Sequence, residues 1–124
     1  FANAGSDIIL TCTFGGTRMR MKDSKYQDRT PEVNMRAAEI ARKAASLNNG
    51  LVAGSMGPVG ALIKPYGPLE ADDVRATFAE QAKALADGGV DLLEPITLTR
   101  PAFALLWGIF HRNPPSIVRA RTGP

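Results

Sequence analysis

The chain has 124 residues, of which 44% are hydrophobic and 22% are charged, values typical of one small globular domain. Its single cysteine excludes an internal disulfide framework and the paired spacing of a cysteine-based zinc site, and indicates a reducing compartment. The first residues have neither the basic lead nor the apolar run of a secretory signal peptide. Because the chain starts without methionine and inside a predicted helix, we expect it to be a fragment.

The excess of positive charge belongs to the end of the chain. Residues 1–97 carry 11 Lys and Arg against 12 Asp and Glu, whereas residues 98–124 carry four Arg and no acid. The basic group between Arg18 and Arg29 is interleaved with two aspartates, which favours a solvated loop over a phosphate-binding patch. The net charge of +3 therefore does not predict nucleic-acid binding.

The stretch from Asp7 to Gly16, DIILTCTFGG, predicts a buried strand that runs into a glycine loop. Its continuous apolar run over residues 8–10 is typical of a strand covered on both faces in a parallel sheet. Gly5, just before it, has the position of a left-handed helix cap. Ligands of parallel α/β folds bind beyond the carboxyl ends of strands, so the polar residues and the phenylalanine that follow are the first candidates for chemistry.

A first helix is predicted over residues 31–47. Thr30 is the predicted N-cap, Pro31 occupies the first helical position, and Glu32 places an acid in the first turn. Asn48-Asn49-Gly50 is expected to end the helix. Helical spacing predicts one buried stripe, formed by Val33, Ala37, Ile40, Ala41 and Ala44.

A second strand over residues 51–56 opens into a loop rich in proline and glycine, whose length favours a functional role. A second helix over residues 71–87 follows, because two aspartates suit its N-terminal dipole and Gly88-Gly89 ends it. Its predicted apolar stripe is Val74, Phe78, Ala82 and Leu85.

Strands and helices alternate with a period of roughly 40 residues, which predicts parallel βαβ units. We expect residues 7–13, 51–56 and 90–96 to form adjacent parallel strands with both helices on one side. A closed (β/α)₈ barrel needs about 250 residues, so this chain is long enough for only a part of one.

The pattern changes near Glu94. From Pro95 onward no helical or strand period continues, acids disappear, and arginine and proline become frequent. Two interpretations remain open: a tail that is out of frame with the ancestral reading, or a divergent C-terminal segment. The lone His111 lies far in sequence from the other candidates and is interpreted as a solvated or packing histidine.

Two weaker signals favour structural roles. Cys12 has neither a histidine nor a second cysteine nearby, which favours a small buried hydrophobe over a catalytic thiol or metal ligand. The glycines at 54, 57 and 60 lack the Gly-Lys-Ser/Thr ending of a phosphate loop and the Rossmann glycine order, so they indicate strand-end loop geometry.

Three blocks, DIILTCTFGG, VAGSMGPVG and FAEQAKALADGGVDLL, follow one another in an order and spacing that resembles the homocysteine S-methyltransferase family. The resemblance covers residues 1–93. It implies an α/β fold, a partial (β/α)₈ TIM barrel of about strands 2–4 with two intervening helices. It divides the chain into a partial homocysteine-binding barrel segment over residues 1–97 and an atypical Arg/Pro-rich tail over residues 98–124.

The resemblance also implies an enzyme that transfers a methyl group from a methyl donor to the homocysteine thiol to give methionine. Zinc is implied as the cofactor, because a zinc-bound thiol is deprotonated at neutral pH. The family's zinc ligands are three cysteines on later strands and none lies in this chain, so we expect this chain by itself to be inactive. The implied partners are homocysteine and a small methyl donor, with no nucleic acid and no membrane, in the cytoplasm.

The resemblance places substrate-binding residues at the predicted strand ends: Thr13, Phe14, Gly15, Ser55, Gly57 and Glu94. Betaine-using relatives have a tyrosine where this chain has Gly15, which argues against an aromatic cage for a quaternary ammonium. Cys12 stands where relatives commonly have asparagine. The family's substrate-binding glutamate aligns with Ile96, and Glu94 is the nearest carboxylate.

The sequence leaves several alternatives open. The chain is part of a methyltransferase, a non-catalytic remnant of a truncated or frame-shifted gene, or a small α/β binding module. Betaine, S-methylmethionine and methylfolate all remain possible donors, and the sequence assigns neither catalytic residues nor an oligomeric state.

Overall fold

The computed structural model describes residues 1–95. Outside this range lie Ile96, His111 and the predicted tail over residues 98–124. Single turns of 3₁₀-helix occupy Ala2–Ala4 and Gln27–Arg29. The strands are β1 (Ile8–Leu10), β2 (Leu51–Met56) and β3 (Leu92–Pro95), and the helices are α1 (Thr30–Ala45) and α2 (Ala71–Asp87).

The described strands form a parallel sheet in the order β1-β2-β3. Ile9 is in register with Val52, and Ala53 with Leu92. Each parallel connection passes through a helix, as the alternating sequence pattern predicts. The prediction of three adjacent parallel strands is therefore confirmed, although β1 is shorter than predicted and β3 begins at Leu92 rather than at residue 90.

Both helices cover the same face of the sheet. The core contains every residue of the predicted apolar stripe of α2, so that prediction is confirmed. It also contains alanines from α1, which pack against Val52 and Met56 of β2. Gly88 ends α2 where a Cβ atom would lie 2.6 Å from the Cβ of Ala38, so the two helices are in close contact there. The core thus lies between β2 and the helix pair.

The other face of the sheet is open at β1, so the prediction of a strand covered on both faces is wrong. Ile8 and Leu10 are 50% and 49% exposed, whereas Ile9 between them packs against the core. β1 lies at the edge of the described sheet, and only one helical layer covers that sheet. An apolar run in the sequence does not distinguish one covering layer from two.

Only Ala41 of the predicted buried stripe of α1 is buried; three other members are half-buried and Ile40 is exposed. The buried residues are Thr30, Asn34, Ala38, Ala41 and Ala45. Ile40 is 61% exposed and, with Ala37 and Ala44, lines a groove of about 640 Å³ beside Ile8 and Leu10. The helix is rotated because its small and polar residues, rather than its larger apolar ones, face α2 and the loop after β1.

The start of α1 also differs from the prediction. Thr30 has helical dihedral angles and follows Arg29, the residue that occupies the N-cap position. Its hydroxyl donates to the carbonyl oxygen of Gln27 at 2.6 Å instead of accepting from the helix. The 3₁₀ turn over Gln27–Arg29 already leads into the helix, so no threonine cap is needed. By contrast, the left-handed cap at Gly5 is confirmed, with φ of 87°.

Candidate functional site

The carboxyl end of β1 is joined to β2 by side chains rather than by backbone groups. The Thr11 N–H donates to the carbonyl of Ala53 at 2.9 Å, the last backbone bond between β1 and β2. Beyond it, the Ser55 N–H donates to Thr11 Oγ1 at 2.9 Å, and the Thr13 hydroxyl donates to the Ser55 carbonyl at 2.6 Å. These bonds extend the pairing of the two strands past Leu10.

The two threonine hydroxyls complete a ring, with their oxygens 2.6 Å apart. A hydroxyl has one proton, and that of Thr13 is used on Ser55, so Thr11 is the donor between them. Both threonines are 3% exposed, and their hydrogen bonds compensate for the burial of the hydroxyls. Within residues 1–95 the Ser55 side-chain hydroxyl makes no hydrogen bond.

Phe14 and Gly57 are in direct contact above this ring. The Gly57 N–H donates to the Phe14 carbonyl at 3.1 Å. A Cβ atom at position 57 would lie 2.4 Å from that oxygen and 2.8 Å from the aromatic ring of Phe14, so only glycine fits here. The Phe14 side chain is 42% exposed. Gly15 beside it is also exposed, and a Cβ atom added there would meet no atom within 4 Å.

Glu94 and Ser55 are paired in the β2–β3 register. Strand alternation directs both away from the helices, because Gly54 and Met56 on either side of Ser55 face the core. Glu94 is exposed. The structure therefore brings Thr13, Phe14, Ser55 and Gly57 into one cluster with Glu94 at its border, and their binding of substrate stays a prediction.

A buried pair of amides lies beneath the loop, and the sequence reasoning missed it. Asn34 of α1 and Gln81 of α2 are both 0% exposed. The Asn34 Nδ2 atom donates to the Gly16 carbonyl at 2.7 Å, and the Gln81 Nε2 atom donates to the Thr13 carbonyl at 2.8 Å. The available signal was that each amide lies among core-facing positions of its helix.

Arg18 anchors the loop that follows. Its guanidinium binds the Glu80 carboxylate through Nε at 3.1 Å and 3.2 Å and through Nη2 at 2.7 Å. The hydrogen bond to Glu80 raises the pKa of Arg18 above its ordinary value, and the nearby Asp28 carboxylate, 3.5 Å away, acts in the same direction. Two members of the basic group, Arg18 and Arg29, are thus ion-paired, and its other members are exposed, in line with the interpretation as a solvated loop.

Cys12 is exposed, so its interpretation as a small buried hydrophobe is wrong. Thr11 and Thr13 turn inward to bind Ser55, and the residue between them is consequently directed outward. Residues 1–95 contain no group of three or more His, Cys, Asp and Glu side chains placed to hold a metal ion. The described range also contains no helix of the length and apolarity needed to cross a membrane.

Sequence comparison identifies the relatives of this chain. The sequence model of the homocysteine S-methyltransferase family matches residues 1–106. A methionine synthase from Mycobacterium leprae (strain TN) is 32% identical over 96 residues, which cover 73% of this chain and 8% of that protein.

Structural comparison agrees. The homocysteine methyltransferase MmuM from Escherichia coli superimposes in its metallated form with a TM-score of 0.77 at 23% identity, covering 91% of this chain and 45% of that one. Its oxidized form gives 0.72 at 24% identity, covering 90% and 44%. At these identities the likeness concerns the fold, and it confirms the α/β prediction of a partial TIM barrel. The sequence match over most of its length shows that this chain belongs to the homocysteine S-methyltransferase family.

Proposed function

We propose that this chain forms the homocysteine-facing part of an enzyme that transfers a methyl group from a methyl donor to the homocysteine thiol, giving methionine. The observation that carries the proposal is the convergence of Thr13, Phe14, Ser55 and Gly57 at the carboxyl edge of a parallel sheet. Ligands of parallel α/β folds bind at this edge. Family membership supplies the substrate class.

The chemistry of the cluster suits an amino acid. The Glu94 carboxylate is an acceptor for the substrate ammonium group, and the Ser55 hydroxyl is a donor for its carboxylate. The exposed ring of Phe14 offers an apolar wall to the methylene groups. Thr13 spends its proton on Ser55, so its contribution is to hold the edge in place.

Zinc, where it is bound by members of this family, supplies a deprotonated thiol that can attack an activated methyl group. The described residues do not fit a zinc site, because Cys12 stands alone and no three-ligand group accompanies it. The chain spans 45% of the solved relative and 8% of the curated one. The methyl-transfer step therefore needs residues that this part of the chain does not contain.

Binding of L-homocysteine to the 124-residue chain tests the proposal. In ¹⁵N NMR titrations we expect shifts at Gly15, Ser55 and Gly57, and smaller ones with 2-aminobutyrate, which lacks the thiol. Glu94→Gln and Ser55→Ala should each weaken binding about tenfold, since each removes one polar contact. Lys83→Gln, on the outer surface of α2, is the matched control and should leave binding unchanged.

Two results would argue against the proposal. Homocysteine that leaves the signals of the strand ends unmoved would favour the small α/β binding module, provided that the chain unfolds cooperatively. A chain that neither unfolds cooperatively nor binds homocysteine would favour the non-catalytic remnant.

A further inference from the structure

We propose that Asn34 and Gln81 are positioning residues for the substrate-facing loop Thr13–Gly16. This inference deepens the proposed function and rests on it, because the loop matters to substrate only if homocysteine binds beside Phe14 and Gly15. Neither amide is within the cluster of predicted substrate residues. Both act from beneath, one from each helix.

The two amides hold the loop at both ends. Gln81 Nε2 donates to the Thr13 carbonyl at 2.8 Å and to Asn34 Oδ1 at 3.1 Å. Asn34 Nδ2 donates to the Gly16 carbonyl at 2.7 Å and to the Thr30 carbonyl at 2.8 Å. Phe14 and Gly15, the exposed residues, therefore lie between two carbonyls that buried donors fix.

The orientation of the Gln81 amide follows from its partners. Both are acceptors, so the nitrogen has to face them and Oε1 faces the other way. Within the described residues this buried Oε1 atom has no hydrogen-bond partner. A buried unpaired acceptor costs stability. An apolar residue at this position would avoid that cost, as Ala82 and Leu85 do nearby, so we infer that the amide is retained for the loop.

Gly16 fits the same arrangement. A Cβ atom there would lie 2.5 Å from Asn34 Oδ1, 2.9 Å from Gln81 Nε2 and 2.9 Å from the Thr13 carbonyl. The loop backbone thus rests directly on the two amides. From this support the Phe14 carbonyl reaches the Gly57 N–H of the neighbouring strand end at 3.1 Å. Displacing the amides would consequently move both halves of the proposed substrate edge.

The test compares Gln81→Met with Thr77→Val in the complete chain. Gln81→Met keeps an unbranched side chain and removes the donors to the Thr13 carbonyl and to Asn34 Oδ1. Thr77→Val is a matched control, since Thr77 is buried one turn earlier on α2 and its side-chain hydroxyl makes no hydrogen bond within the described residues. The readouts are the urea midpoint, amide hydrogen exchange at Gly16 and Gly57, and the Kd for L-homocysteine.

We expect Gln81→Met to unfold cooperatively while exchange at Gly16 and Gly57 accelerates at least about tenfold, and the Kd to rise by a similar factor. Thr77→Val should change neither. The inference would be overturned if exchange in Gln81→Met accelerated only as much as its lowered urea midpoint accounts for. Faster exchange at Gly16 and Gly57 with an unchanged Kd would overturn it as well.

A second variant covers the case in which Gln81→Met fails to fold. Asn34→Ala removes the donor to the Gly16 carbonyl, together with the donor to Thr30 and the acceptor for Gln81, but leaves the Gln81 donor to Thr13 in place. Exchange should therefore accelerate at Gly16 more than at the core amide of Val52. Uniform acceleration at both amides would overturn the inference. If the unaltered chain does not bind homocysteine, the proposed function fails and the positioning of substrate fails with it, whereas localised acceleration still supports the holding of the loop.

Discussion

At the scale of single residues, hydroxyl and amide side chains replace backbone hydrogen bonds at the end of β1. The Thr11 hydroxyl accepts from the Ser55 N–H, and the Thr13 hydroxyl donates to the Ser55 carbonyl. Gln81 Nε2 donates to the Thr13 carbonyl. The two threonine hydroxyls are thereby buried with their hydrogen bonds made, whereas Gln81 Oε1 has no partner within the described residues. The residues left exposed beside them, Phe14 and Gly15, are the ones proposed to meet the substrate.

The contact between Phe14 and Gly57 gives a first prediction at this scale. Gly57→Ala places a Cβ atom 2.4 Å from a backbone oxygen that cannot rotate away. We expect a loss of about 1–3 kcal/mol in the free energy of unfolding, measured by urea titration. Gly15→Ala is the control, because its Cβ atom would meet nothing within 4 Å. Equal losses for the two variants would contradict this interpretation of the contact.

The pKa of Glu32 gives a second prediction at the scale of single residues. Its hydrogen bonds and charge attraction to Arg29, at 2.5 Å and 2.8 Å, hold the pKa below the ordinary 4.5. The stabilisation is therefore present above the unfolded-state pKa and is lost as the pH falls through the folded-state pKa. In a ¹³C NMR titration, Arg29→Gln should raise the pKa of Glu32. Arg36→Gln should leave it unchanged, and an equal rise in both variants would contradict the assignment.

At the scale of elements, the two helices differ in how they are buried. α2 presents its large apolar side chains to the core, whereas α1 presents alanines, Thr30 and Asn34. Arg42, near the end of α1, binds the carbonyls of Gly50 and Gly89 and the carboxylate of Asp91. α1 is thus held by close packing and polar contacts at both ends, and its Ile40 faces the groove beside β1.

This difference predicts effects of very different size for two truncations. Phe78→Ala should cost about 3–5 kcal/mol in the free energy of unfolding, because Phe78 is fully buried in the core. Ile40→Ala should change that free energy by less than about 0.5 kcal/mol, since Ile40 is 61% exposed. Urea titrations of both variants measure these values, and a large loss for Ile40→Ala would mean that the groove beside β1 is covered in solution.

At the scale of the whole molecule, the chain contains a piece of a barrel sheet with one helical layer. It spans 45% of the solved homocysteine methyltransferase, and the apolar residues Ile8 and Leu10 remain exposed at the edge strand. The proposed substrate edge is present at one end of this piece. Residues 1–95 contain no group of three or more His, Cys, Asp and Glu side chains placed to hold a metal ion.

The chain as a whole should not retain zinc. Catalytic zinc takes three protein ligands, and the sequence offers one cysteine and one histidine. After dialysis against a weak chelator we expect far less than one equivalent of zinc by elemental analysis, and no methyl transfer to homocysteine. Stoichiometric zinc, lost on Cys12→Ser, would show instead that Cys12 takes part in a metal site.

The sequence by itself determined the order of the elements, the parallel sheet, the buried face and C-terminal end of α2, and the family, whereas α1 ends at Ala45 rather than at residue 47. Those features follow from local periods, caps and motif spacing, which depend on residues close together in the sequence. Only the tertiary structure decided the rotation of α1, the exposure of Ile8 and Cys12, and the burial of Asn34 and Gln81. Their partners lie far along the chain, 42 residues between Thr13 and Ser55 and 68 between Thr13 and Gln81. A polar residue is buried when such a distant partner satisfies it, and no local pattern contains that information.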